Sequence, residues 1–310
     1  MNITEVRKRL KQKGYLEQQI DQLVTGLQEG YDVSKYANPI FNSGQMLVIY
    51  MGLKQGVDVT KYNKPEFYME QMHALYRGLC AGVNIDDLRN PGLDHMQMNA
   101  LVNGLIEGVD ISAVNVTSFS YNKMSEMINL LHAGYPDIRK MYPYNWEQIQ
   151  AIREMYCSSV DVTGCVSNKY NAHQIREIGR ALMKGLDVTK LCDPKIPHYI
   201  MHELSILLEN HVDVTPYLDI RDDRLRAIVY CVRKGVDIEK VLEENLTGAH
   251  IRVLVDALQQ GIDLKERIES SSDARRVSEY SEKELRNMLQ DVTEGSEEIP
   301  DKLLEKLNIF

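Results

Sequence analysis

A short turn of the form Gly-x-Asp-Val recurs along the chain, and this recurrence is the strongest constraint on its fold. Ten copies are present, most of them 26 residues apart, and each turn aspartate is followed by a branched apolar residue. The turn positions are Asp32, Asp58, Asn84, Asp110, Asp137, Asp161, Asp187, Asp213, Asp237 and Asp263. One unit of this size cannot bury an apolar face alone, so the period predicts stacked repeats that share a core.

The residues before each turn predict an α-helix of about twelve residues. Apolar side chains stand twelve, nine and five positions before the aspartate, as at Met46, Ile49 and Leu53. Spacings of three and four place such residues on one helix face. A glycine then ends the helix, because glycine enters the left-handed conformation without a steric penalty. Ser159 and His211 replace this glycine in two units.

The residues after each turn predict one short helical turn and an extended link. The aspartate carboxylate can accept hydrogen bonds from the backbone N–H groups that open the short turn. Proline prevents its continuation in several units. An anchoring side chain follows, at Tyr15, Phe41, Phe67, Leu93, Phe119, Tyr170, Ile196, Ile220 and Leu246. A glutamine precedes the first apolar residue of six helices, at Gln19, Gln45, Gln71, Gln97, Gln148 and Gln174.

We therefore expect an all-α fold, an α-solenoid of about ten repeats of about 26 residues, each a long helix plus a short helical turn, with capping helices at both ends. Residues 1–14 are predicted to form an N-terminal cap helix, and residues 15–268 the repeat array. Residues 269–310 are predicted to form an acidic C-terminal cap, since terminal repeats need a polar outer face. Within this cap, Ser281 and Glu284 have the spacing of a capping box.

A second glycine, six positions before the turn aspartate, lies inside the predicted helix of the first four units only. Glycine in a helix interior costs about 1 kcal/mol relative to alanine, so we expect a close-packing reason for it. The positions are Gly26, Gly52, Gly78 and Gly104. We predict that neighbouring helices approach more closely in this half of the array.

Charge and cysteine content restrict the classes of function. The formal net charge of -9 disfavours general binding to phosphate backbones, which requires surplus lysine and arginine. The charge is uneven, because residues 266–310 carry twelve acids and seven bases. No apolar run approaches the ~18 residues of a membrane span. Five scattered cysteines are typical of reduced thiols, so we expect a cytoplasmic protein that does not enter a membrane.

Candidate sites for metals and for catalysis are weak. His198 and His202 are four residues apart, but the sequence places no third ligand and has no His-Glu-x-x-His motif. Each turn supplies a single carboxylate, which capping already explains, so calcium sites are not expected. No phosphate-binding loop or nucleophile elbow is present. The sequence predicts no enzymatic activity, no cofactor and no metal.

The most informative residues are the helix positions eleven, seven and four before each aspartate, which lie away from the apolar face. In the C-terminal half these positions are rich in arginine and include a tyrosine, residue types favoured in protein interfaces. The candidate partner-binding residues are Arg176, Arg180, Arg226, Tyr230, Arg233 and Arg252. The simpler interpretation of the same residues is an ordinary solvated helix face.

The phrase Gln-Met followed by Gly-Leu-x-x-Gly-Val-Asp-Val-Thr-Lys-Tyr, with a later proline and phenylalanine, resembles a short helical repeat of uncharacterised bacterial, phage and mobile-element proteins. The resemblance covers about residues 15–268 and is best in the first four units. It implies an α-solenoid and supplies no activity or site residues.

Three functional hypotheses follow. The first is a non-enzymatic scaffold that binds a protein partner through its exposed helix face. The alternative is an acidic inhibitor or decoy of a nucleic-acid-handling enzyme, in conflict between host and phage or mobile element. The third is a nucleic-acid binder that uses the arginines of the C-terminal half. The sequence does not define the oligomeric state.

Overall fold

The computed structural model describes residues 2–114, 116–220, 222–242, 245–271 and 275–295. Within these ranges the chain forms thirteen α-helices and seven short 3-10 turns, and no β-strand. The predicted all-α class is confirmed. The chain divides into two compact units, Met1–Ile175 and Arg176–Phe310. The part of the predicted acidic cap from residue 296 onward lies outside the described residues.

The first unit is a row of helices in which each helix contacts the next. Apart from the shorter first helix, they have twelve or thirteen residues, as the apolar spacing predicts. Helix α1 is the predicted N-terminal helix. The helices are α1 (Ile3–Gln12), α2 (Glu17–Gln28), α3 (Ser43–Gln55), α4 (Met69–Cys80), α5 (His95–Ile106), α6 (Tyr121–His132) and α7 (Trp146–Cys157).

The second unit continues the same local pattern. Helix α8 (Ala172–Met183) begins just before it, and α9 (His198–Glu209), α10 (Asp222–Arg233), α11 (Gly248–Gln259), α12 (Leu264–Ser270) and α13 (Glu282–Gly295) follow. Helix α10 packs against α9 and α11, and α11 contacts α12 and α13. The predicted capping box is confirmed, since the Glu284 carboxylate accepts from the Ser281 N–H at 2.7 Å. Hydrogen bonding by Ser281 lowers the pKa of Glu284 to about 2.

The turn after each long helix has the backbone conformation that the glycines predict. All ten positions have positive φ, including Ser159 at 64° and His211 at 61°. The N–H of the residue after this position donates to a carbonyl oxygen of the last helical turn, as in the 3.0 Å bond from the Val57 N–H to the Gly52 carbonyl oxygen. This bond satisfies a carbonyl that the end of a helix otherwise leaves without a partner.

The turn aspartate caps the short turn that follows it, as predicted. At all ten turns this side chain, an asparagine at position 84, accepts a hydrogen bond from the backbone N–H two residues later. Where that residue is a threonine, its hydroxyl donates as well, at 2.5 Å to Asp58 and 2.6 Å to Asp161. These bonds stabilise the ionised carboxylate and lower the pKa of Asp58 and of Asp161.

We expected the glycines inside the first helices to pack against the neighbouring helix, but most of them pack against the short turn of their own repeat. A Cβ at Gly26 or Gly52 would overlap the hydroxyl of Tyr36 or Tyr62, which belongs to the short turn of the same unit. The Tyr62 hydroxyl donates to the Val48 carbonyl oxygen at 3.1 Å. The nearest obstacle is therefore a side chain of the same repeat, a tyrosine at these two positions and Ile85 at Gly78. Of the four glycines, Gly104 alone has a side chain of the next helix as its nearest atom, Ile128 at 3.0 Å.

Buried glutamines join successive long helices of the first unit. The Gln45 side-chain oxygen accepts from the Asn42 N–H at 2.8 Å, at the start of its own helix. Its nitrogen donates to the Phe67 carbonyl oxygen at 2.6 Å, directly before the next helix begins. The same pair of bonds is made by Gln19, Gln71, Gln97 and Gln148. Glutamine satisfies two otherwise buried backbone groups here.

These bonds fix the direction of neighbouring helices in the first unit. Each glutamine is the third residue of its helix, so the start of one helix lies beside the start of the next. The other ends also meet, because Glu29 after α2 lies 3.5 Å from Lys54 in the last turn of α3. Successive long helices therefore run parallel and in register.

Lysine and histidine make comparable contacts from the glutamine position of two other helices. The Lys123 ammonium donates to the Tyr142 carbonyl oxygen at 2.6 Å. In the second unit, His250 accepts from the Thr247 N–H at Nδ1, and its Nε2 lies 2.8 Å from the Tyr280 carbonyl oxygen. This pattern requires a neutral imidazole with its proton on Nε2.

We predict that Gln71→Leu destabilises the first unit by about 2–4 kcal/mol, because the Tyr68 N–H and the Leu93 carbonyl lose their buried partner. Urea denaturation measures the change. Gln55→Leu, at the exposed end of α3, is the control and should shift stability by less than about 0.5 kcal/mol. Equal effects of the two substitutions would contradict a linking role for the buried amide.

We predict that His211→Gly stabilises the second unit by about 0.5–1 kcal/mol, because it relieves a left-handed backbone at an exposed residue. Thermal denaturation tests this. The reverse change at an equivalent turn, Gly235→Ala, should destabilise by a similar amount. A loss of stability in His211→Gly would show that the imidazole itself contributes.

Candidate partner-binding face

The helix positions predicted to face solvent do so in most units. In α3, Leu47 and Lys54 are exposed and Met51 is half-buried, whereas Val48, Ile49 and Tyr50 are buried. The second unit departs from the pattern once, because Ile206 in α9 is buried. Each long helix therefore presents one narrow row of side chains outward.

The structure places the six candidate residues on three helices of the second unit. Arg180, Arg226 and Arg233 are exposed, and Arg176, Tyr230 and Arg252 are half-buried. Helix α9 contributes no arginine and instead presents acids between α8 and α10. The arginines therefore form two groups, one on α8 and one on α10 and α11.

The α8 group is built around a buried carboxylate. Glu177 forms an ion pair with Arg180 one turn later in the same helix. Its other oxygen lies 3.2 Å from Nδ1 of His202 in α9. The Glu177 side chain is 10% exposed, so burial strengthens these contacts relative to a surface pair.

The α10 group is also linked to acids. The Arg226 guanidinium lies 3.9 Å from the Glu203 carboxylate of α9. The Tyr230 hydroxyl donates to the Asp256 carboxylate of α11 at 2.7 Å. This bond raises the pKa of Tyr230, although the positive charges of Arg286 and Arg252 oppose the shift.

Sequence analysis missed the acidic partners. Glu177 and Glu203 stand ten positions before their turn aspartates, in a row that is mostly occupied by apolar residues such as Val48, Ala74 and Ala100. An acid in a mostly apolar row was the available signal. Its partner could not be found without knowing which helices are neighbours. Arg180 and Arg226 on this face are therefore paired charges.

The two histidines of α9 contact other side chains of the protein. Within the described part of the chain, no group of three or more histidine, cysteine, aspartate and glutamate side chains is arranged to hold an ion. His202 instead contacts Glu177, and the His198 ring lies against Tyr199. None of the helices over the same residues is long and apolar enough to cross a membrane.

No family model, no curated protein and no solved structure matches this chain. The function must therefore be argued from the surfaces themselves. The resemblance to phage and mobile-element repeats stays a prediction.

We predict that Tyr230→Phe destabilises the second unit by about 1–2 kcal/mol, because the Asp256 carboxylate loses a hydrogen bond between α10 and α11. Urea denaturation gives the change. Tyr199→Phe, at a side chain with 41% exposure, is the control and should be neutral. If Tyr230→Phe is neutral as well, the hydroxyl does not hold the helices together and is available to a partner.

Proposed function

We propose that this protein is a non-enzymatic cytoplasmic scaffold, an α-solenoid of about ten repeats that binds a protein partner through its exposed helix face. The observation that supports this proposal is that the structural positions of the repeat stay constant while the exposed ones vary. The glycines form left-handed turns, and the aspartate and glutamine side chains make hydrogen bonds within the protein. The outward row changes freely, from Leu47 and Met51 to Arg226 and Tyr230.

The α10–α11 group is the part of the face that best fits a protein partner. It combines the exposed guanidinium groups of Arg226 and Arg233 with the ring of Tyr230, which Lys234 covers at 5.5 Å. Arginine and tyrosine contribute strongly to protein interfaces because they join a large contact area to hydrogen bonds. A partner with carboxylates beside an apolar surface complements this group.

A nucleic-acid partner is less well supported. Binding to a phosphate backbone needs a surplus of positive charge, whereas the formal net charge of the protein is -9. The acidic inhibitor remains the second candidate, and the twelve acids of residues 266–310 favour it. The cytoplasmic location rests on five cysteines that are all unpaired.

Site-specific photocrosslinking in the native cells tests the proposed function. A photoreactive residue at Arg233 should capture a defined protein, and the same group at Lys240, in an exposed turn off the face, should not. With the captured protein purified, Arg226→Glu plus Arg233→Glu should weaken binding about tenfold or more. Capture from both positions alike, or binding to nucleic acid with steep salt dependence, would overturn the proposal.

A further inference from the structure

One edge of the first unit carries large apolar side chains that stay exposed after the helices have packed. Tyr68 is 74% exposed, Leu16 72% and Ile40 64%, although all three are large apolar residues. Met69, Met96 and Trp146 are also exposed. All six lie within three residues of the start of a long helix. We name these six residues the apolar edge.

The glutamine bonds explain why these residues share an edge. Each bond places the start of one helix beside the start of the next, from α2 to α5 without interruption. The residues that open successive helices are therefore neighbours although they are separated by about 26 positions in sequence. The apolar edge is consequently a row along the first unit.

The residue types at this edge are unusual for helix starts. Serine, threonine, aspartate and asparagine are preferred there, because their side chains satisfy the first backbone N–H groups. Leu16 and Tyr68 occupy this capping position in α2 and α4 and offer no such side-chain bond. These two side chains therefore do not stabilise the helix start by capping it. Large exposed apolar patches mark interaction surfaces.

A cleft between the starts of α4 and α5 gives the apolar edge a concave site. It is lined by Tyr68, Glu70, Pro91, Gly92, Asp94 and His95. The main-chain link at Gly92 forms part of its wall, and Met69 and Met96 flank it in sequence. An apolar side chain of a partner can enter here between two helices.

The charge beside this cleft is negative. Glu70 and Asp94 line it, and its lining includes no lysine or arginine. Glu66 lies outside the lining, 4.0 Å from the Lys64 ammonium. An apolar segment flanked by cations fits both the cleft and its charge.

We propose that the apolar edge binds a segment of another protein in which aromatic or aliphatic residues are flanked by lysine or arginine. An apolar side chain of that segment fills the cleft beside Tyr68. Its cations approach the Glu70 and Asp94 carboxylates. This surface is separate from the helix face of the proposed function and does not depend on it.

Short synthetic peptides test this proposal on the full-length protein. The first peptide carries leucine and tryptophan flanked by lysines; the second has the same apolar residues flanked by glutamates; the third has the lysines with serine in place of the apolar residues. By fluorescence anisotropy, the first should bind at least about tenfold more tightly than either of the others. Equal binding of all three, or no binding of the first, would overturn the proposal.

Variants locate the binding surface. Tyr68→Ser with Met96→Ser should weaken binding of the first peptide about tenfold, and serine at position 68 favours the helix start, so the fold is retained. The matched control, Leu47→Ser with Ile106→Ser, removes exposed apolar groups from the helix face and should leave binding unchanged. Glu70→Gln should reduce the preference for lysine over glutamate. Equal loss in the control, or an unchanged preference, would refute this location.

Discussion

The buried glutamine amide is the interaction on which the first unit depends. One side chain accepts from the N–H that opens its own helix and donates to the carbonyl before the next helix. An unpaired buried backbone group costs about 1–3 kcal/mol, so this geometry strongly selects one spacing between neighbours. Parallel direction, register and the alignment of helix starts all follow from it. The arrangement of residues on the exposed surfaces therefore depends on a buried hydrogen bond.

Most local structure could be predicted from the sequence, because its causes lie within a few residues. The aspartate caps, the left-handed turns and the helix lengths depend on neighbouring backbone atoms. The role of the glutamines could not be predicted, although their recurrence was visible, because one partner lies 22 residues away. His250 and Lys123 occupy the same position without resembling glutamine. That glutamine, lysine and histidine make equivalent contacts from this position can be seen only once the acceptor carbonyl is known.

The candidate surfaces were predictable to different degrees. Helical spacing alone gave the outward row, and the structure places three of its six arginine and tyrosine candidates, Arg180, Arg226 and Tyr230, against carboxylates. The apolar edge was not predicted, because side chains such as Tyr68 and Ile40 are ordinary core residue types. Only their place at the start of a helix reveals that they face outward. The two surfaces differ in kind, since charged residues dominate one and apolar residues the other.

Helix α9 is where the glutamine position holds a side chain without any polar atom. Ile200 is its third residue, and it is buried at 6% exposure. Where helices contact mainly their neighbours, stability is approximately a sum of helix terms and nearest-neighbour junction terms, so a weaker junction favours separate unfolding of its two sides. Without the bonds of a glutamine at this junction, α10 and α11 with their caps can open while α9 stays folded. The buried isoleucine at this one position thus favours unfolding of the second unit in two steps.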